Sequence, residues 1–243
     1  SIAEKKIDRI LLNMNTMITS IGSKKLLGLS FRPIDNDAKI EVVPPLLRQQ
    51  VKSIVPKAGE RWLAYLTHFR LSEDIMDWSN ANPDVKLDCF WDNPARKETY
   101  HYSDSLTFHP IDAENYLAKM TECAGLISTA GFESVAEAMY LGKPAMMVPV
   151  PNHIEQMINA FDGEMSGAGI GATSFDLSIF KKYLPSHVSV QNQYQEWVSQ
   201  SQRLMAGHLS DLIAQPVYVT NFSENQGTGL SGMLGRRRFR WSR

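Results

Sequence analysis

Hydrophobic and polar positions follow two periods along this chain, one typical of helices and one typical of short strands. Residues 2–21 carry apolar side chains at every third or fourth position and lead to Gly22, which predicts an amphipathic helix. Short strands are predicted at residues 25–31 and 39–43, because each is an apolar run bounded by turn residues. Two prolines close the second strand.

From Arg61 the pattern repeats as a short strand, a polar turn and a helix-length segment. Strands are predicted at residues 62–66, 85–90, 106–108, 124–128 and 145–148. Helices are predicted at residues 71–80, 113–123, 131–141, 154–166, 177–184 and 194–213. Strands that alternate with helices of this length form βαβ units around a mostly parallel sheet. The predicted fold class is therefore α/β, with a doubly wound sheet.

Composition limits the class of protein further. With 243 residues, of which 43% are hydrophobic, the chain can close a sizeable core, which excludes a disordered or collagen-like protein. The balance of 25 basic and 26 acidic residues argues against nucleic acid as a partner. Cys89 and Cys123 are far apart and form no CxxC motif, so neither a disulfide framework nor a thiolate metal site is predicted. Reduced cysteines and the lack of an apolar run of roughly 18 residues favour a cytoplasmic location.

The most informative segment follows the strand predicted at 124–128, since ligands of parallel sheets bind where strands lead into helices. Gly131 stands at that turn, where its lack of a side chain lets a ligand approach the backbone. The first N–H groups of the next helix attract a phosphate. Glu133 and Glu137 lie on one face of that helix, and Glu137 is placed to accept hydrogen bonds from vicinal hydroxyls. The alternative is that Gly131 only begins a helix and that both glutamates are solvated.

A second polar cluster begins the helix predicted at 154–166. Four apolar residues have the spacing of a buried helical stripe: Ile154, Met157, Ile158 and Phe161. Glu155, Gln156 and Asn159 are left on the polar side, where amide and carboxylate groups can bind the hydroxyls of a sugar. The alternative is an N-capped surface helix whose polar residues face water.

Together these two segments resemble the donor-binding half of GT-B glycosyltransferases. The shared pattern is G-x5-E-A-x3-G-K-P over residues 131–144, followed by a Pro-ended strand and then by Q-x-x-N-A over 156–160. Within that superfamily the chain is most similar to the branch of the lipid-II-forming N-acetylglucosaminyltransferase and related bacterial and archaeal glycosyltransferases. The resemblance covers residues 61–171, and it implies a Rossmann-like donor domain.

The resemblance implies a role for each matched position. Glu137 matches the acid that binds the ribose hydroxyls of the nucleotide. The turn that matches the diphosphate cradle contains Thr129, Ala130, Gly131 and Phe132, with Glu133 beside it. The segment that matches the donor-sugar contacts contains Glu155, Gln156 and Asn159. The loop that matches the edge of the nucleotide base contains Phe108, Pro110 and Ile111.

Thr67 and His68 close the first strand of the matched region, where relatives carry a glycine-rich loop that faces the diphosphate or the acceptor. This loop contains no glycine, so the chain departs from the family pattern there. A lone histidine in a loop is most often a capping or solvated group. The matched loop of His68 faces the cleft, however, which makes His68 the candidate catalytic group, a donor to the diphosphate or an offset to leaving-group charge.

The implied activity is the metal-independent transfer of a sugar from a nucleotide-diphosphate sugar to an acceptor, with a UDP-sugar as the expected donor and a lipid- or glycan-linked acceptor. No further cofactor is implied, and the Asp-x-Asp at Asp35 is interpreted as turn chemistry outside the donor region. Residues 1–52 are expected to be the end of an acceptor-side domain and a linker. Residues 53–222 are expected to form the donor domain, followed by a disordered basic tail over 223–243.

Two other functions are compatible with the same fold. A non-hydrolysing UDP-sugar 2-epimerase needs catalytic carboxylates and histidines around the sugar, and the histidines of this chain are scattered. A non-catalytic interaction module would keep the fold without the activity. The last eight residues contain five arginines around Phe239 and Trp241, which suits peripheral contact with the inner face of an anionic membrane. A solvated tail is the alternative.

Overall fold

A computed structural model describes residues 20–35 and 40–214 of the chain. The helix predicted over residues 2–21 lies outside the described residues except for its last two positions, which form a turn. The basic tail over 223–243 and most of the turn that begins at Asp35 also lie outside them. The membrane contact of the tail therefore stays a prediction.

Two sheets of different size are present in the described part of the chain. The strands are β1 (Leu26–Leu29), β2 (Ile40–Val43), β3 (Trp62–Leu66), β4 (Leu87–Trp91), β5 (Tyr100–His101), β6 (Leu106–Pro110), β7 (Gly125–Ser128), β8 (Ala145–Met147) and β9 (Gly169–Gly171). β1 pairs only with β2, and the others form one sheet in the order β5-β6-β4-β3-β7-β8-β9. Its neighbouring strands are parallel except for β5 and β6. The predicted α/β class is thus confirmed.

The helices of the described ranges lie where the periodicity predicts them, with two differences. They are α1 (Gln49–Ser53), α2 (Ser72–Ala81), α3 (Ala113–Glu122), α4 (Phe132–Tyr140), α5 (Ile154–Met165), α6 (Ser178–Tyr183), α7 (Gln191–Ser199) and α8 (Ser201–Ala214). The single helix predicted over 194–213 is divided at Gln200 into α7 and α8. The short α1 lies in a stretch for which the pattern predicted no element.

Apolar residues fill both faces of the larger sheet, as a parallel sheet requires. On one face Leu63 belongs to a cluster that includes residues of α3, α4, α5 and α7. On the other face Trp62 packs with α2 and α6, where it stacks on Trp78 with ring centroids 5.5 Å apart and meets Phe180 edge-on at 5.2 Å. Successive residues of β3 therefore face opposite helical layers, and the turns at the strand ends are left for ligands.

The segment before the larger sheet packs against it. Phe31 stacks on Phe132 at the start of α4, with ring centroids 4.4 Å apart. Trp197 of α7 donates its indole N–H to the Ser30 carbonyl over 3.0 Å, and Val51 of α1 is fully buried in the core. These contacts hold β1, β2 and α1 beside α4. The assignment of residues 1–52 to an acceptor-side domain stays a prediction.

The predicted buried stripe of α5 is wrong. Phe161 is 66% exposed, and Met157 and Ile158 are also exposed, whereas Ala160 and Gly163 are buried. The cause is the close approach of α5 to the sheet, since a Cβ on Gly163 would lie 2.5 Å from the sulfur of Met147. Only small residues fit at that distance, so the large apolar side chains of α5 point outward.

Asp88 of β4 is a buried carboxylate surrounded by cations. It accepts hydrogen bonds from Arg61 over 2.6 Å and His109 over 2.8 Å, and Lys119 lies 3.4 Å away. Burial opposes ionisation of Asp88, but the hydrogen bonds from His109 and Arg61 and the charges of Arg61 and Lys119 hold its pKa well below the usual value. The cluster ties β4 to β6 and α3.

Asp88→Asn is expected to destabilise the protein by about 2 kcal/mol at pH 7, below the roughly 3–5 kcal/mol for breaking a fully buried pair, because Arg61 and Lys119 can rehydrate. A carboxyl with a lowered folded pKa contributes stability above its unfolded pKa of about 3.9, and that stability is lost as the pH falls. The variant should therefore lose less stability than the wild type between pH 6 and pH 3. Urea unfolding across this pH range measures the difference, and parallel curves for the two proteins would contradict it.

Gly169→Ala is expected to destabilise the protein by about 3 kcal/mol, since a Cβ there would overlap the carbonyl oxygen of Ala145 across the β8–β9 pairing. Gly207 of α8 is the matched control, because a Cβ added there meets no atom of the described residues within 4 Å. Gly207→Ala should stabilise the helix by about 0.5–1 kcal/mol. Thermal unfolding of both variants tests the contrast, which equal shifts would refute.

Candidate functional site

The order of the strands identifies one edge of the sheet as the ligand-binding edge. The chain passes from β3 to β4 and β6 on one side, and then returns to place β7 on the other side of β3. In open parallel sheets, ligands bind beyond the carboxyl ends of the strands where the order reverses in this way. The turns after β3 and β7 therefore border the candidate site.

The turn after β7 is held in an unusual backbone conformation. Ala130 has a φ of 58°, in the left-handed region that L-residues rarely adopt. Its N–H donates to the Ser128 hydroxyl over 3.1 Å, and its carbonyl accepts from the Asn159 amide over 3.1 Å. Gly131 follows as the N-cap of α4 and supplies no side-chain acceptor for the first N–H groups of the helix. This geometry leaves the N-terminus of α4 suited to an anion.

Glu137, in the second turn of α4, is only 3% exposed and forms an ion pair with Arg48. Arg48 donates from Nε to one carboxylate oxygen over 2.7 Å and from Nη2 to the other over 2.8 Å. This pairing raises the pKa of Arg48, mainly through the hydrogen bond to Glu137. Glu133 is exposed, one turn earlier. The alternative that both glutamates are solvated is therefore wrong for Glu137.

Arg48 and Glu137 line a cleft of about 190 Å³ together with two tyrosines. The rings of Tyr65 and Tyr116 meet edge-on with centroids 5.1 Å apart. No hydrogen-bond partner for the buried Tyr116 hydroxyl is found among the described residues, although the Ser134 hydroxyl is a neighbour that opposes the rise in the pKa of Tyr116 caused by burial. Thr67 and Ile111 line an adjoining cavity next to Tyr65.

The predicted loop over residues 108–111 is wrong in part, because β6 continues through Pro110. Phe108 is fully buried and stacks on Trp91 with ring centroids 4.1 Å apart, so its side chain belongs to the core and contacts no ligand. Pro110 ends the strand. Ile111 is exposed and is the member of this group that reaches the cleft.

The three polar residues of α5 differ in their surroundings. Glu155 is exposed at the start of the helix. Gln156 is buried and accepts the Val150 N–H over 2.9 Å, and Asn159 is the donor to Ala130 described above. Gln156 and Asn159 thus fasten the turns that follow β8 and β7, and the Glu155 side chain is exposed.

His68 is exposed and acts as a cap in this structure. Its Nδ1 accepts the N–H of Arg70 over 3.1 Å, and its ring stacks on Phe69 with centroids 4.7 Å apart. A neutral imidazole that accepts at Nδ1 carries its proton on Nε2 and donates from there. His68 is not one of the residues that line the two cavities, whereas its neighbour Thr67 is.

No three His, Cys, Asp or Glu side chains of the described ranges are grouped closely enough to hold a metal ion. Among the helices of the same ranges, none has both the length and the apolar character that crossing a membrane requires.

Comparison with known families decides the family. The model of the family described as Glycosyl transferase family 1 matches residues 13–186, well over half of the chain. The chain belongs to this family. The predicted GT-B assignment is thereby confirmed at the level of family and fold.

Relatives and solved structures of this family 1 chain agree with that assignment. It is 28% identical over 121 residues to the UDP-N-acetylglucosamine--N-acetylmuramyl-(pentapeptide) pyrophosphoryl-undecaprenol N-acetylglucosamine transferase of Lactobacillus acidophilus, covering 48% of this chain and 32% of the relative. The Lactobacillus delbrueckii subsp. bulgaricus protein of the same name is 31% identical over 108 residues, covering 43% and 29%. The chain thus spans about a third of the length of these curated relatives.

Among solved structures, LpCGTa in complex with UDP has a TM-score of 0.51 at 13% identity, covering 76% of this chain and 50% of that one. The glycotransferase of kitacinnamycin has a TM-score of 0.50 at 16% identity, covering 78% and 54%. At these identities the likeness shows the fold alone.

Sequence reasoning missed six residues that line the cleft in this family 1 chain: Arg48, Tyr65, Asp112, Ala113, Tyr116 and Ser134. Arg48 is the one charged residue in an otherwise apolar stretch around two prolines, which is a visible signal, but its partner is 89 positions away. Tyr65 and Tyr116 read as apolar positions of a strand and a helix. They line the cleft because the carboxyl end of β3 lies beside the first half of α3, and the sequence pattern does not predict this contact.

Arg48→Ala is expected to cost about 3 kcal/mol of stability at pH 7, because Glu137 would be left buried without a counter-charge. Replacing Glu137 by Gln in the same protein removes that unpaired charge. The double variant Arg48→Ala/Glu137→Gln should therefore be more stable than the sum of the two single effects by at least about 1 kcal/mol. Urea unfolding of the four proteins measures this coupling, and additive effects would contradict it.

Proposed function

We propose that this chain holds the nucleotide-diphosphate sugar of a glycosyltransferase, that the donor is a UDP-sugar, and that its sugar is transferred to an acceptor without a metal ion. The observation that carries the proposal is the arrangement of α4. Its uncapped N-terminus and the buried Glu137 border one cleft at the ligand-binding edge of the sheet. These two features match the two ends of a nucleoside diphosphate.

The N-terminus of α4 suits the diphosphate. The first N–H groups of a helix have no partners within the helix, and the helix dipole adds partial positive charge there. Gly131 contributes no side chain that would compete with a ligand oxygen, and a Cβ at this position would meet no atom of the described residues within 4 Å. The backbone at Gly131 is therefore open to a ligand. These groups stabilise the charge of the leaving diphosphate in place of a metal ion.

The carboxylate of Glu137 suits a ribose. It lies six residues beyond Gly131, about 9 Å along the helix, so it is separated from the phosphate site by more than one helical turn. At this distance the carboxylate can accept hydrogen bonds from vicinal hydroxyls while the diphosphate is held at the start of the helix. Ile111 and Tyr65, which also line the cleft, provide apolar surface for a base.

The donor sugar is assigned to the start of α5. Glu155 is exposed there and is the group that contacts sugar hydroxyls in this proposal. Gln156 and Asn159 act as positioning residues, since their side chains are engaged with Val150 and Ala130. His68 donates from Nε2 to the diphosphate and is not a general base in its neutral form, because its Nδ1 is an acceptor of the Arg70 N–H.

The assignment of uracil as the base is supported by the names of the relatives. The two lactobacillar relatives named above are UDP-N-acetylglucosamine-dependent transferases according to their names, and they match 48% and 43% of this chain. The acceptor is proposed only as a lipid- or glycan-linked group. The matched part covers only about a third of each relative. The complete transfer of the sugar to an acceptor is therefore proposed for this chain.

Calorimetric titration with UDP, GDP and dTDP in the presence of a chelator tests the donor assignment. UDP is expected to bind most tightly, and Glu137→Gln should weaken it by roughly ten- to a hundredfold, because hydrogen bonds to a charged acceptor contribute about 1.5–3 kcal/mol each. Glu196→Gln, an exposed change on α7, is the control and should bind like the wild type.

Other outcomes of the same experiments distinguish the alternatives. Equal UDP affinities of Glu137→Gln and the wild type would refute the ribose assignment. Loss of binding on chelation would refute metal independence. Conversion of a UDP-sugar without any acceptor would indicate the 2-epimerase, and no affinity for any of the three nucleotides would favour the interaction module.

A further inference from the structure

Arg48 occupies the same carboxylate oxygens that the proposed function assigns to the ribose. Its Nε and Nη2 donate to Oε1 and Oε2 of Glu137 over 2.7 and 2.8 Å. Ribose has two vicinal hydroxyls, and they would approach the same pair of oxygens. The guanidinium and the ribose hydroxyls therefore compete for the same two carboxylate oxygens of Glu137.

The surroundings of Glu137 leave no open second side for a ligand. A carboxylate can accept about four hydrogen bonds, so two remain unused in principle. The Glu137 side chain, however, is only 3% exposed with Arg48 in place. The hydroxyl of Tyr116, which lines the same cleft, is also inaccessible and has no partner in the described part of the chain. Because Glu137 is buried while Arg48 pairs with both of its carboxylate oxygens, we infer that access to Glu137 requires Arg48 to move.

Arg48 is built so that its side chain can leave while its backbone stays. Leu47 and Val51 on either side of it are buried in the core. The Arg48 side chain is 36% exposed, and its residue is the N-cap of α1 without any side-chain cap hydrogen bond. A rotation of the side chain into water thus breaks the pair with Glu137 and leaves the packing of α1 unchanged.

We propose that Arg48 is a specificity-determining latch, which rests on the proposed function: the ribose of the donor must displace Arg48 from Glu137 before it can bind. Only a ligand that is also held by its diphosphate at α4 competes well with a partner that belongs to the same chain. The displacement lowers the affinity of every ligand that uses Glu137 by the same factor, so simple diols and free nucleosides, which lack the diphosphate contacts, are left with weak binding. In the empty protein it supplies the counter-charge that a buried carboxylate needs.

The test compares UDP with 2′,3′-dideoxyuridine 5′-diphosphate, which lacks both ribose hydroxyls. The ratio of their dissociation constants, measured by calorimetry, isolates the contribution of the hydroxyls. Removing the competitor with Arg48→Met, which keeps the aliphatic stem, should raise this preference for UDP at least about fivefold. Arg203→Met, an exposed change on α8, should leave the preference unchanged.

Arg48→Lys is the second variant, because it keeps the positive charge beside Glu137 but loses the two-point hydrogen bond. Its preference for UDP over the dideoxy compound should lie between those of the wild type and Arg48→Met. If Arg48→Met does not fold, Arg48→Lys is used in its place. An unchanged preference for UDP in the folded Arg48 variants would overturn the latch, because Arg48 would then have no effect on ribose binding. A smaller preference would also overturn it, because Arg48 would then orient Glu137 for the ribose.

Failure of the proposed function gives a different result. If the wild type binds UDP and the dideoxy compound equally and Glu137→Gln changes neither affinity, Glu137 does not bind ribose at all. A wild-type preference that Glu137→Gln abolishes, together with no rise in the Arg48 variants, refutes only the latch. Uridine provides a second readout, because its ribose must also displace Arg48, so its affinity should rise in Arg48→Met by about the same factor as that of UDP.

Discussion

A carboxylate buried beside a ligand cleft needs a counter-charge, and Arg48 supplies it for Glu137. The two residues come from different parts of the chain, one just before α1 and the other in the second turn of α4. Their pairing, with the stacking of Phe31 on Phe132, attaches the segment that carries β1 and β2 to the helix that borders the cleft. The geometry of the proposed nucleotide site thus depends on residues that precede the central sheet.

The turn between β7 and α4 depends in turn on α5. Ala130 stays in a left-handed conformation that costs an L-residue roughly 1–2 kcal/mol, and hydrogen bonds with Ser128 and Asn159 hold it there. Asn159 reaches Ala130 because α5 lies close to the sheet, which only small residues such as Gly163 allow. The close packing of α5 against the sheet therefore also holds the turn that leaves the N-terminus of α4 open.

The two ends of the sheet differ in how completely their polar groups are paired. At the amino ends of the strands, a cavity of about 360 Å³ lies beside Arg61, Lys119 and Asp88, and these charges already neutralise one another. At the carboxyl ends, the described residues leave the Tyr116 hydroxyl without a partner and the first turn of α4 without a side-chain cap. Cavity size by itself therefore does not identify the ligand-binding edge, which is identified by the reversal of strand order at β3 and β7.

The sequence by itself determined the α/β class, the alternation of strands and helices after residue 61, and the motif that places Gly131 and Glu137 on one helix, because these features follow from local periodicity and spacing. It misassigned the outward face of α5 and the loop at Phe108, since burial there depends on how closely an element approaches its neighbours. Only the tertiary structure decided that Glu137 is buried against Arg48 and that Tyr65 and Tyr116 share its cleft. Those contacts join residues far apart in the chain, and no local pattern encodes which distant side chain will supply a buried group with its partner.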